Sequence, residues 1–161
     1  MSTIFKHSSE VLDALDNLPQ VNYSLLSHDD SREALAKLLG SFTQEGVYKY
    51  PIWENLTDFV SVQYEYAWEW FGEMLVDREV LLLFEPEDDW QVFKFSNGAD
   101  LVDVFNNCYS FVFYITTESN NSLICFNDHN FLIASGDAKK WLVNFETVKE
   151  NKLILNTNKN D

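Results

Sequence analysis

Glycine is scarce in this chain, with five residues among 161, and no Walker loop, GxGxxG, HExxH or paired CxxC motif occurs. Phosphate-binding loops need glycine because backbone N–H groups must approach the phosphate closely. The three histidines are widely separated in the sequence and form no cluster of the kind that binds zinc. The sequence therefore predicts no cofactor, no metal site and no enzymatic activity.

Cysteine is scarce as well, and Cys108 and Cys125 are the two in the chain. If two strands turn around Ser119, Cys125 lies opposite Val112 or Phe113. Cys108 is then too distant for a disulfide, whose Cα atoms are about 5.5 Å apart. Two unpaired thiols are typical of a reducing compartment, so we expect a cytoplasmic protein.

A long hydrophobic run is also missing. The longest apolar run spans residues 80–84, far short of the about 20 residues that cross a bilayer. Residues 1–20 lack a basic segment followed by an apolar one, which is the pattern of a secretion signal. These absences predict a soluble protein that does not contact membranes.

Basic residues are nearly absent from the middle of the chain. Between residues 50 and 138 the bases are Arg78 and Lys94, whereas sixteen residues are acidic, so this segment carries −14 of the net charge of −15. A field of this sign repels nucleic acid and anionic membranes and attracts basic proteins. The alternative is that the acidic residues serve only solubility.

Core-forming residues are plentiful, because 46% of the chain is hydrophobic and 16% is aromatic. A chain of 161 residues has the length of one domain and can bury about two-thirds of its unfolded surface. We predict a single domain over residues 1–150. The Asn- and Lys-rich residues 151–161 are expected to form a loose tail, in which residues 153–155 could dock as a short edge strand.

The N-terminal third of the chain predicts two amphipathic helices. Ser8 or Ser9 can cap the first helix, which extends to about Leu18. The second helix begins near Asp30, with Glu33 placed three residues later as in a capping box.

Residues 52–76 are compatible with two structures. Val60 and Val62 alternate with other residues as in a strand, whereas Trp68, Phe71 and Leu75 recur at helical spacing. We favour a helix from about residue 63 to residue 75. Such a helix places three carboxylates on one line at i,i+4 spacing, where like charges repel each other. The three are Glu65, Glu69 and Glu73.

From residue 79 onward the pattern is that of a sheet. Within the segment 79–84, residues 80–84 are all apolar, as in a strand covered on both faces. Short helices are predicted over residues 99–107 and after residue 136. Strands separated only by turns favour antiparallel pairing. The predicted fold is α+β, with N-terminal helices followed by a mainly antiparallel sheet of about five strands with interspersed short helices. The predicted strands are 79–84, 90–95, 109–116, 122–126 and 131–135.

Cys125 and His129 are the best catalytic candidates, as a nucleophile and its base. A cysteine in the middle of a strand is more often a small buried hydrophobic residue, and His129 falls in a turn. We therefore predict structural roles for both residues.

From about residue 78 to residue 142 the chain resembles small immunity proteins of bacterial contact-dependent inhibition and polymorphic toxin systems. The resemblance begins with EVLLLFEP at 79–86 and WQVFKF at 90–95. After a short helix comes the run SFVFYITTESNNSLICFNDHNFLIASGD at 110–137, which contains C-x-N-x-H. One departure is the pair Ser122-Leu123, which stands where a Trp is expected at the start of the fourth strand.

The resemblance implies a protein that inhibits a toxin by occluding it, with no turnover. Many such toxins are basic nucleases, and an acidic inhibitor can match their substrate-binding face. We therefore predict a non-catalytic inhibitor that binds a basic toxin through its acidic surface. An acidic adaptor for another basic protein and an unrecognised hydrolase remain alternatives. The predicted contact residues are Glu65, Glu69, Glu73, Glu85, Glu87, Asp88, Asp89, Asp100 and Asp103.

Overall fold

An eight-stranded antiparallel sheet runs through the centre of the protein in the computed structural model, which describes residues 6–157. The strand order is β1-β4-β3-β5-β6-β7-β2-β8, and every neighbouring pair is antiparallel. The strands are β1 (Tyr23–Leu25), β2 (Phe59–Gln63), β3 (Val80–Leu83), β4 (Phe93–Phe95), β5 (Phe113–Thr117), β6 (Ser122–Phe126), β7 (Phe131–Gly136) and β8 (Leu155–Thr157).

Helices cover both faces of this sheet. The α-helices are α1 (Lys6–Asp16), α2 (His28–Phe42), α3 (Phe71–Leu75), α4 (Asp100–Asn106), α5 (Ala138–Asn144) and α6 (Glu146–Glu150). Short 3₁₀ turns occur at Ile52–Asn55 and Ala67–Glu69. None of the helices within residues 6–157 is long and apolar enough to cross a membrane.

Two hydrophobic cores lie on opposite faces of the sheet. On the first face, Leu82 and Phe113 join the buried residues of α1, α3, α4, α5 and α6. On the second face, Leu83 and Tyr114 join α2 and the turn that contains Ile52. Because successive strand residues point to opposite faces, β3 is apolar at every position. The prediction that this strand is covered on both faces is confirmed.

Helix α2 begins earlier than the sequence predicts. The Ser27 hydroxyl accepts a hydrogen bond from the Asp30 backbone N–H at 3.1 Å, so Ser27 is the N-cap and the helix begins at His28. Asp29 and Asp30 fall in the first turn, where the partial positive charge of the helix N-terminus favours carboxylates. The predicted start near Asp30 lies within the helix.

The predicted helix over residues 63–75 is confirmed only in its second part. Residues 59–63 form β2, which pairs with β7 on one side and β8 on the other. Val60 and Val62 are buried on the first face, and the Tyr64 N–H continues the ladder by donating to the Asn130 carbonyl at 2.9 Å. Residue 63 therefore ends a strand, whereas the residues at helical spacing, Trp68, Phe71 and Leu75, lie in a 3₁₀ turn and in the five residues of α3.

The remaining strand predictions are largely confirmed. β3 and β4 form the predicted hairpin, and β5, β6 and β7 form the predicted meander. β5 begins at Phe113 rather than at residue 109. The tail supplies β8 at the sheet edge beside β2, and residues 158–161 lie outside the described part of the chain.

Candidate protein-binding surface

Two acidic loops lie next to each other at one end of the central strands. Leu83, the last residue of β3, pairs with Tyr114 near the start of β5, and Phe113 pairs with Phe126 at the end of β6. The loop 84–92 and the turn 127–130 therefore follow strand ends on the same side of the sheet. This end of the strands holds the acidic turn that the sequence singled out, together with Asp128.

Glu85 is directed into the protein rather than toward solvent. Only 1% of the surface of Glu85 is exposed. The carboxylate accepts hydrogen bonds from the Tyr114 hydroxyl, from the Ile52 backbone N–H at 3.0 Å and from the Tyr48 hydroxyl at 3.2 Å. Burial raises the pKa of Glu85, and these hydrogen bonds oppose that shift. Glu85 thus fastens the segment that contains Tyr48 and Ile52 to the second face of the sheet.

Asp89 is also internal, with 1% of the residue exposed. Its carboxylate accepts hydrogen bonds from the Ser8 N–H at 2.8 Å and from the Gln91 N–H at 3.0 Å. It therefore ties the first turn of α1 to the loop after β3. The prediction that Glu85 and Asp89 present their carboxylates to a partner is corrected, because both carboxylates are occupied inside the fold.

The exposed acidic residues at this end of the strands act electrostatically on Tyr50. Asp88, followed by burial and by Glu85, Asp128 and Glu87, raises the pKa of the Tyr50 phenol. Tyr50 is 58% exposed, and Glu87, Asp88 and Asp128 are exposed as well. We call Glu87, Asp88, Asp128 and Tyr50 the acidic patch.

Neighbouring side chains leave the acidic patch negatively charged. The nearest lysine in sequence, Lys49, is paired with Glu45 at 3.0 Å. His129 lies 3.8 Å from the Asp128 carboxylate, and its ring packs edge-on against Trp53 with centroids 5.8 Å apart. The Tyr48 hydroxyl has one proton, which it shares between Glu85 at 3.2 Å and Glu87 at 3.1 Å, and this contact orients Glu87 without neutralising it. The patch therefore combines fixed negative charge with exposed aromatic surface.

Asp100 and Asp103 lie near the opposite end of the central strands. They stand in the first turn of α4, just after Gly98, whose N–H donates to the Arg78 carbonyl at 2.8 Å before β3 begins. Burial, followed by Asp103, raises the pKa of Asp100. Asp100 and Asp103 are near the start of β3, whereas the acidic patch is near its end, just after Glu85. The length of β3 therefore separates the two groups.

The three glutamates predicted to share a helix face are distributed over three elements. Glu65 lies in the turn after β2, Glu69 ends a 3₁₀ turn and Glu73 belongs to α3. Glu73 borders an open groove of about 730 Å³ with Lys140 of α5. All three are exposed, but they form no continuous stripe.

Cys125 and His129 have different surroundings. Cys125 is fully buried on the second face opposite Tyr114, and burial raises its thiol pKa. A neutral thiol is a poor nucleophile. His129 is on the surface, with its side chain 62% exposed. Cys125 thus lies in the core and His129 at the surface, and the structural roles of both stay predictions; both cysteines are free thiols.

Sequence reasoning missed two parts of the acidic patch, Asp128 and Tyr50. The charge count included Asp128, but its proximity to Glu87 and Asp88 depends on the pairing of β3 with β5 and of β5 with β6. Tyr50 comes from a segment that crosses the second face and has no strand pattern of its own. A predicted register for the four central strands could have located Asp128.

Within residues 6–157, no group of three or more His, Cys, Asp or Glu side chains is placed to hold a metal ion. Comparison of the chain with protein-family models, with curated proteins and with solved structures finds no match.

Proposed function

We propose that this protein is a non-catalytic inhibitor of the immunity-protein type, which neutralises a basic toxin by binding it through the acidic patch. The observation that carries the proposal is that Glu87, Asp88 and Asp128 lie on loops at the same end of the strands and act together on the exposed Tyr50. The toxin could be a nuclease, because a nuclease has a basic substrate-binding face that such a patch complements.

The acidic patch has the features of a surface that steers and holds a basic protein. Its carboxylates are exposed and therefore act on approaching charge over about one Debye length, roughly 8 Å at physiological ionic strength. Tyr50 adds a large, stiff side chain of the type that is enriched at the centre of protein interfaces. The sheet beneath the patch is fully paired in its central strands, so the patch rests on a rigid support.

Growth protection tests this proposal directly. The proposal predicts a toxin gene next to the gene for this chain, so the toxin domain encoded there is expressed in bacteria with and without this protein. We expect growth arrest without the protein and normal growth with it. Replacement of Glu87, Asp88 and Asp128 by Lys should abolish protection, whereas replacement of Glu65, Glu69 and Glu73 by Lys should preserve it.

A different result would assign a different role. If the neighbouring gene encodes no toxic protein, or if the wild-type protein gives no protection, the immunity function is wrong. Binding of a non-toxic basic protein through the same three carboxylates would instead support the adaptor function.

A further inference from the structure

An aromatic pocket opens on the first face of the sheet, at the same end of the strands as the acidic patch. It has a volume of about 110 Å³ and lies between the end of α4, the start of β5 and the turn after β2. This space holds several water molecules and thus the end of a long side chain. The pocket is lined mainly by the rings of Trp68, Phe105, Tyr109, Phe111, Phe113 and Phe126.

Tyr109 is unusual because it does not fill the pocket that it borders. It is 83% exposed, more than any other large hydrophobic side chain in the described part of the chain. Trp68 and Phe111 are only half-buried. Tyr109, Trp68 and Phe111 therefore leave aromatic surface accessible at the pocket, and the face of an aromatic ring attracts cations.

A carboxylate is held directly beside this pocket. The Glu10 carboxylate accepts a hydrogen bond from the Tyr109 N–H at 3.1 Å, and the Glu10 carbonyl accepts one from the Cys108 thiol at 3.7 Å. Burial, followed by Glu10 and Asp13, raises the pKa of Cys108 to about 11. Cys108 lines the pocket, so two carboxylates impose negative potential on it.

We propose that this pocket binds an arginine side chain of the basic partner, with the guanidinium against the aromatic rings and next to the Glu10 carboxylate. Arginine is the cation of choice because its flat guanidinium stacks on aromatic faces and forms directed bonds with carboxylates. The proposal rests on the proposed function for the identity of the partner. It adds the residue type that anchors the partner on the first face, while the acidic patch lies beside the second.

Peptides test the pocket without the partner. The ¹⁵N-labelled full chain is titrated with N-acetyl-Gly-Arg-Gly-amide and, separately, with the same peptide carrying citrulline or leucine in place of arginine. We expect the arginine peptide to shift the amide signals of Tyr109, Ser110 and Phe111 and the indole signal of Trp68. Citrulline has the shape of arginine without its charge, and we expect it to bind at least about tenfold more weakly, as the loss of a cation–π contact and a charged pair implies.

Two variants and one control localise the interaction. Glu10→Gln keeps an oxygen that can accept from the Tyr109 N–H but removes the charge, and we expect at least about threefold weaker arginine binding. Tyr109→Ser removes an exposed ring and should weaken binding similarly. Glu118→Gln, an exposed residue after the far end of β5, should leave peptide binding unchanged. The unshifted amide signals of the sheet show in each case that the variant is folded.

The proposal is overturned if citrulline or leucine binds as well as arginine, because the pocket is then merely apolar. It is equally overturned if no peptide shifts the pocket signals or if arginine shifts those of the acidic patch instead. Loss of toxin protection on reversal of the acidic patch would still support the proposed function in either case, so the two failures are distinguishable.

Discussion

The buried carboxylate of Glu85 makes a quantitative prediction about stability. In Glu85→Ala, the Ile52 N–H and the Tyr114 hydroxyl lose their acceptor inside the fold, where Ile52 and Tyr114 are both fully buried. The Tyr48 hydroxyl keeps its bond to Glu87 at 3.1 Å. Each buried donor left without a partner costs about 1–3 kcal/mol.

The free energy of unfolding should therefore fall by about 2–4 kcal/mol, since removal of a buried carboxylate also relieves part of its desolvation cost. Such a loss is a large share of the 5–15 kcal/mol that is typical of a domain. Urea denaturation at pH 7, followed by tryptophan fluorescence, measures the change from the midpoint at constant slope.

Glu87→Ala is the matched control, because Glu87 lies two residues away and is exposed. Its removal should change the free energy of unfolding by less than about 0.5 kcal/mol. A loss below about 1 kcal/mol for Glu85→Ala, or equal losses for the two variants, would refute the conclusion that Glu85 fastens the segment over the second face.

Three further predictions follow from single sites. Because burial raises the folded-state pKa of Glu85 above the unfolded value of about 4.3, the wild type should lose stability relative to Glu85→Gln as the pH rises from 4 to 7. If the stability of the wild type relative to Glu85→Gln stays constant or grows from pH 4 to pH 7, the pKa of Glu85 is not raised in the folded state. Gly136→Ala should cost more than about 2 kcal/mol, because Gly136 has φ +64° and an added Cβ would overlap the Asn121 carbonyl. Gly40→Ala, in an open position of α2, should instead gain up to about 1 kcal/mol. With a thiol reagent at pH 8, Cys108 should react slowly and Cys125 only after unfolding, and simultaneous reaction of both in the native protein would argue against the buried site of Cys125.

Local patterns predicted the central strands well because each of them carries its own signal. β3 is apolar at every position, and the turns around β5, β6 and β7 are polar, so the α+β class and the antiparallel meander were accessible from the sequence. β2 was missed because its strand alternation overlaps a helical spacing. Pairing with β7 makes residues 59–63 a strand, and no local signal in the sequence reports that pairing.

The acidic residues show a second limit of sequence reasoning. Composition located the charge excess but gave no measure of burial, so Glu85 and Asp89 were grouped with their exposed neighbours. Besides the local bond from Gln91 to Asp89, they accept hydrogen bonds from Ile52, Tyr114 and Ser8, which are 29 to 81 positions away in the chain. Only the folded arrangement separates the internal carboxylates from those of the acidic patch.

The association rate with the proposed toxin domain shows whether the acidic patch binds the partner. It is measured at low and at high salt for the wild type and for the variant in which Glu87, Asp88 and Asp128 are replaced by Lys. We expect association at least about tenfold slower for the variant at low salt and a difference that shrinks as salt rises, because exposed charges act mainly on encounter and are screened. Equal association rates for the two proteins at low salt would contradict the claim that the acidic patch binds the partner.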